Sequence, residues 1–197
     1  MQQLKIKRAI ISLTDKSFSA ELGTFLQNQG VEIVSTGGTL KELEKSGVRV
    51  TPVNQVTDFP EIMGGRVKTL HPAIHAGILA DKNNPEHIQT INRMEIEPFD
   101  LVCVNLYNFK RAVQEDMDLH QAIEQIDIGG PTLLRAAAKN LNSVCVLPSP
   151  EFYTEFIQEV KNNGAIGLDF RRKTAAYTFK TTSEYDRMIA EFLAQDL

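Results

Sequence analysis

Val31-Glu32-Ile33-Val34-Ser35-Thr36-Gly37-Gly38-Thr39-Leu40 decides how this chain is read. A short apolar run ends on a hydroxyl, two glycines follow, and a second hydroxyl opens a stretch of helical periodicity. Residues 31–35 therefore read as a buried strand and residues 39–46 as a short helix closed by Gly47, with Thr39 as its N-cap. The same alternation continues outward. Residues 6–13 read as a strand, and Phe18, Leu22, Phe25 and Leu26 share a helical face that Gly30 ends. Residues 48–53 read as a third strand. Strand–helix–strand units with connections this short imply parallel pairing and right-handed crossovers.

The rest of the chain extends that pattern. A loop holds Gly64-Gly65, and a helix spans about residues 85–94. Residues 100–105 (Asp-Leu-Val-Cys-Val-Asn) are apolar enough for a central strand buried on both faces. A helix over about residues 118–125 leads to Asp127-Ile128-Gly129-Gly130-Pro131, where Pro131 suits the first position of a helix over residues 132–139. Residues 143–147 give another strand, and Phe152, Phe156, Ile157 and Val160 mark an amphipathic helix ending near Gly164. Tyr185, Ile189, Phe192 and Leu193 form a packing stripe in the tail. The expected architecture is a single α/β domain over residues 1–197. It has an open, mostly parallel sheet flanked by helices (core about 5–148) and an added C-terminal helical layer (about 149–197).

Composition narrows the function. A net charge of −4 argues against a nucleic-acid binder. The one compact basic run, Arg171-Arg172-Lys173, reads as a solvated helix face. No apolar stretch approaches the ~20 residues that span a bilayer, and the polar start is no signal peptide, so a cytoplasmic protein without membrane partners is expected. Cys103 and Cys145 read as buried, reduced thiols. His71 and His75 are four apart, but Pro72 between them and the lack of a third ligand leave no metal site.

Five segments carry groups suited to chemistry. Ser35-Thr36-Gly37-Gly38-Thr39 could present amides and hydroxyls to a phosphate at a helix start, or be a plain turn. Ser12, Thr14 and Lys16 leave the first strand at its carboxyl end, where open parallel sheets bind ligands, although a capped helix start explains Thr14 and Asp15 equally. Arg66 and Lys68 project to one side of an extended segment beside Thr69, as an anion cradle or as a solvated pair. Asn105 and Tyr107 leave the most apolar strand. Within residues 124–140 the helix over 132–139 is almost wholly apolar, yet its Arg135 and Lys139, four apart, read as buried cations needing an anionic ligand or a carboxylate, with Asp127 nearest.

Taken together, Ser12 to Lys16, Ser35 to Thr39, Gly64 to Pro72, Asn105-Leu106-Tyr107 and Ile126 to Asn140 resemble inosine monophosphate cyclohydrolase, the N-terminal half of a bifunctional purine-biosynthesis protein. The Ser-Thr-Gly-Gly-Thr loop is shared with methylglyoxal synthase-like domains generally and speaks for the fold. The run through Asn140 is specific to the cyclohydrolases. One departure is Asn108, where the family usually has proline. Another is that the formyltransferase half of that protein is missing from these residues. Either a separate formyltransferase protein supplies the substrate, or a second activity belongs to a longer chain.

The resemblance implies a methylglyoxal synthase-like fold and a homodimer. It also implies a cofactor-free ring closure of 5-formamidoimidazole-4-carboxamide ribonucleotide to inosine monophosphate, the last step of de novo purine synthesis. On that resemblance Ser12, Thr14, Lys16, Ser35, Thr36, Gly37, Gly38 and Thr39 anchor phosphate and ribose, and Arg66 and Thr69 continue the cradle. Lys68 is a charged donor near the reacting groups. Asn105 and Tyr107 serve the formyl oxygen. Asp127 and Lys139 handle the carboxamide beside Gly129 and Gly130, with Asp127 held at low pKa by the lysine. The rival readings are a methylglyoxal synthase-like lyase and a non-catalytic nucleotide sensor.

Overall fold

The computed structural model describes residues 3–107, 109 and 118–194. Its strands are β1 (Arg8–Ser12), β2 (Glu32–Ser35), β3 (Thr51–Pro52), β4 (Leu101–Val104) and β5 (Cys145–Leu147). They form one sheet in the order β3-β2-β1-β4-β5, and every pairing is parallel. The order reverses at β1, so the crevice between the β1 and β4 exits is the natural ligand position.

Alternation along each strand divides the core between the sheet's two faces. Ala9, Ile11, Leu101 and Cys103 face one layer with α1 (Ser19–Asn28) and α8 (Tyr153–Asn163). Ile10, Val102 and Val104 face the other, covered by α4 (Pro72–Leu79) and α7 (Gly129–Lys139). Each fully buried side chain such as Ile10, Ile33 or Phe156 contributes about 1.5–3 kcal/mol. α9 (Leu168–Leu193) is a single 26-residue helix lying along α7 and β5. The remaining helices are α2 (Gly37–Lys45), α3 (Val53–Thr57), α5 (Pro85–Arg93) and α6 (Leu119–Glu124). Both cysteines are buried free thiols.

Local chemistry sets several boundaries. Pro72 opens α4, and His71 caps it, its Nδ1 accepting from the Ala73 amide at 3.2 Å. At the amino edge of the sheet the buried Asp100 carboxylate accepts the amides of Lys7 (2.7 Å) and Arg8 (2.9 Å) and takes Lys82 as its ion pair.

Four expectations are corrected. α2 starts at Gly37, with Thr36 as N-cap, because the Thr39 hydroxyl is engaged elsewhere. The third strand shrinks to Thr51–Pro52, and Val53 begins a helix. α7 starts at Gly129, so Pro131 is its third residue. Arg171 is not part of a solvated face: it is fully buried, donating to the carbonyls of Asn142 (2.9 Å) and Gly167 (3.3 Å) and also to that of Leu141, while Arg172 and Lys173 are exposed.

Candidate active site

The loops leaving β1, β2 and β4 meet at the carboxyl edge and interlock through side chains. Thr39 Oγ1 accepts from the Leu13 amide (2.8 Å) and donates to the Leu13 carbonyl (3.0 Å). Ser35 Oγ donates to the Ile11 carbonyl at 2.6 Å. Asn105 Oδ1 accepts from the amides of Thr14 (2.7 Å) and Asp15 (3.1 Å), and its Nδ2 donates to the Asp15 carbonyl (2.7 Å). Ser35, Thr39 and Asn105 are therefore joints of the site. Their polar atoms hold the β1 exit in shape.

The joints present two glycines at the start of α2. Gly37 has φ +55°, which a side chain would strain. A Cβ on Gly37 would lie 3.8 Å from Lys68 Nζ, and one on Gly38 would lie 3.7 Å from Lys16 Nζ. Two ammonium groups thus flank the positive end of a nine-residue helix. Ser12 and Thr14 are half-buried at the same exit, and Thr36 is buried beneath it.

The opposite wall is built by the Gly64–Thr69 segment and the start of α7. Lys68 lies 3.1 Å from Glu61, whereas Arg66 turns away to pair with Glu124 of α6. The two cations expected to converge thus divide, Lys68 facing the helix start and Arg66 the rim. Thr69 is buried with its Oγ1 about 3.0 Å from where a Gly129 Cβ would sit. A Cβ on Gly130 would collide with the Asp127 carboxylate and reach Leu106 Cδ2 at 3.0 Å. A side chain at Gly130 would have to displace the Asp127 carboxylate, and one at Gly129 would crowd Thr69.

Asp127 lies on the turn just ahead of α7. Its Oδ1 accepts from the Gly130 amide at 2.8 Å, and the amides of Tyr107 and Gly129 also point to it. Burial nonetheless raises its pKa, outweighing those donors. The expected Asp127–Lys139 pair is not formed. Lys139 closes α7 about 15 Å along the helix axis from Gly129. It lies next to Asn140, which donates to the Ile78 and Ala80 carbonyls (2.8 and 3.0 Å), and is exposed. Arg135 is likewise exposed, its guanidinium 5.5 Å from the Phe179 ring. Neither is a buried cation, because the apolar face of α7 turns both outward. With no cation among the described residues lowering it, the Asp127 pKa is raised by burial, the reverse of the low pKa expected.

Tyr107 is 52% exposed at the mouth. Asn108 lies outside the described residues. One contributor escaped sequence reasoning. Tyr185, read as packing, accepts the Asp127 amide on its hydroxyl at 2.8 Å. Its polar tip within an apolar stripe was the only available signal. Among the described residues no His, Cys, Asp and Glu cluster suits a metal ion, and no helix is long and apolar enough to cross a membrane. A cavity of about 260 Å³ opens at the amino edge beside Lys5, Lys7 and Phe156, but its lining holds no carboxylate or hydroxyl.

Comparison with known proteins agrees with the fold. The MGS-like domain family matches residues 19–132, and the AICARFT/IMPCHase bienzyme family matches residues 137–197. The bifunctional purine biosynthesis protein PurH of Acetivibrio thermocellus is 47% identical over 193 residues, which are 98% of this chain and 38% of that protein. PurH of Clostridium botulinum strain Loch Maree is 47% identical over 191 residues, 97% of this chain and 38% of that protein. This chain therefore spans well under half the length of these relatives. The crystal structure of ForH, 27% identical, superposes with a TM-score of 0.83 over 96% of this chain and 100% of that one. With a family match over more than half of its residues, this chain belongs to the MGS-like domain family.

Proposed function

We propose that this chain is an inosine monophosphate cyclohydrolase, closing the pyrimidine ring of 5-formamidoimidazole-4-carboxamide ribonucleotide. The observation that carries the reading is a glycine-opened helix start flanked by Lys16 and Lys68, together with the Asp127 turn, whose carboxylate accepts from Gly130 and whose Gly129 abuts Thr69, next to Lys68 in sequence. The likeness to the PurH proteins over nearly the whole chain supports it.

In this reaction the nucleotide phosphate is held by the amides at Gly37 and Gly38 and by Lys16. The carboxamide nitrogen attacks the formyl carbon of the same molecule, so the enzyme selects the reactive rotamer and does not gather two reactants. Asp127 accepts the proton that the nitrogen sheds. Lys68 stabilises charge growing on the former formyl oxygen, and Tyr107 donates toward it. That oxygen leaves as water after taking two protons, one shed by the carboxamide nitrogen and one by the formamido nitrogen, whose lone pair forms the new C=N bond as the C–O bond breaks and the ring is completed. Lys139 has no step in this scheme.

The test is to incubate the purified chain with the formamido ribonucleotide and follow the ultraviolet change to inosine monophosphate. Stoichiometric product supports the reading. No product, or methylglyoxal formed from dihydroxyacetone phosphate, overturns it.

A further inference from the structure

The C-terminal helix reaches the site through the Tyr185 hydroxyl. Tyr185 Oη lies 2.8 Å from the Asp127 amide, 58 residues away in sequence. The Tyr185 ring is 3% exposed and meets Phe109 edge-on, with centroids 6.3 Å apart, and Phe109 meets Phe192 at 5.5 Å. Leu106 and Ile126 pack on the same cluster, so it joins the segment carrying Asn105 and Tyr107, the Asp127 turn and the last turns of α9. Burial lifts the Tyr185 hydroxyl to about 12, so it stays protonated while accepting the amide.

We propose that Tyr185 is a positioning residue for Asp127: its hydroxyl fixes the Asp127 backbone while Gly130 holds the carboxylate, so α9 aims the base. This rests on the reading that Asp127 is the base. Two anchors are needed because the other described partners of Asp127, the amides of Tyr107, Gly129 and Gly130, all engage its carboxylate and not its backbone amide. The carboxylate's partners, Tyr107, Gly129 and Gly130, cannot fix the direction from which Asp127 enters. The hydroxyl acts on no reacting atom. Its effect is to keep the carboxylate within reach of the carboxamide proton, where a displacement of about 1 Å is costly.

The experiment compares the wild type with Tyr185→Phe, which keeps the ring, and with Tyr177→Phe, which removes a hydroxyl from the same helix where the ring packs on Phe152. For Tyr185→Phe, kcat falls about tenfold with KM within about twofold, as one lost hydrogen bond to a part-buried amide implies, and the acid limb of the kcat pH profile moves. The Asp127 amide exchanges with solvent at least about tenfold faster by NMR. Tyr177→Phe matches the wild type in all three readouts. If Tyr185→Phe keeps kcat and the acid limb of an active wild type, positioning is refuted and the function reading stands. If the wild type has no turnover, the function reading fails. Positioning is then judged on the Asp127 carboxyl titration followed by NMR, and an unchanged midpoint in Tyr185→Phe refutes it.

Discussion

Glu61 Oε1 stands 3.1 Å from Lys68 Nζ, the ammonium that also borders the start of α2. The carboxylate thus competes for the cation that an anionic ligand would use. Both groups are partly exposed, so their pairing is worth roughly 0–1 kcal/mol, and a phosphate can displace it at small cost. Glu61→Gln removes the competitor. The expected result is binding of inosine monophosphate up to about fivefold tighter by calorimetry, with a steeper salt dependence. Weaker binding in the variant would show that Glu61 orients Lys68 and does not compete for it.

Asp127 gives the pH dependence. Its pKa is raised, and a base must be deprotonated, so kcat is full above that raised value and declines as pH falls through it. Stability runs the other way. A raised folded-state pKa means that the unfolded chain gives up this proton more readily, so keeping Asp127 ionised costs stability at neutral pH, and that cost disappears as pH falls below the raised value. Asp127→Asn should lower kcat by about a hundredfold or more without lowering the thermal midpoint at neutral pH. A variant that loses midpoint and activity together would make Asp127 a structural residue.

Gly130→Ala tests the close approach. The new Cβ collides with the Asp127 carboxylate and crowds Leu106. Overpacking of this kind costs about 1–3 kcal/mol, and here the strain falls on the base itself. We expect a lower midpoint in thermal denaturation and a drop in kcat larger than the change in KM. Wild-type kinetics would mean that the turn moves aside without consequence.

Much of this was legible in sequence. The short apolar run that passes into helical periodicity around Gly37 and Gly38 located the parallel sheet, and residues 100–105 announced the strand buried on both faces that is observed as Leu101–Val104. The part of Lys139 was not legible, because spacing in a helix gives a face and not a depth: four-residue spacing put Arg135 and Lys139 together, but the apolar face won the core and both cations went to solvent. Ser35, Thr39 and Asn105 were identified as site residues, but sequence could not separate a hydroxyl that meets a ligand from one that clamps a neighbouring loop. Arg171 was misread for a related reason. A basic triplet looks solvated until its first member finds three carbonyls at the end of α7 and the start of α9.

Arg171→Leu should accordingly be among the most destabilising single changes in α9. It removes a fully buried guanidinium and its bonds to the Leu141, Asn142 and Gly167 carbonyls at a cost of about 1–3 kcal/mol in all, while Arg172→Leu next to it falls within about 0.5 kcal/mol of wild type. Chemical denaturation of the two variants checks the contrast. Equal stability would contradict the burial assigned to Arg171.

The central claim is that one nucleotide spans the crevice, its phosphate at the start of α2 and its base against Asp127. A crystal structure of the complex with inosine monophosphate tests it directly. The account predicts phosphate oxygens on the Gly37 and Gly38 amides with Lys16 alongside, and the purine ring within hydrogen-bond reach of Asp127 and Lys68. A nucleotide bound at the amino edge near Lys5 and Lys7, or with its base turned away from Asp127, would contradict it.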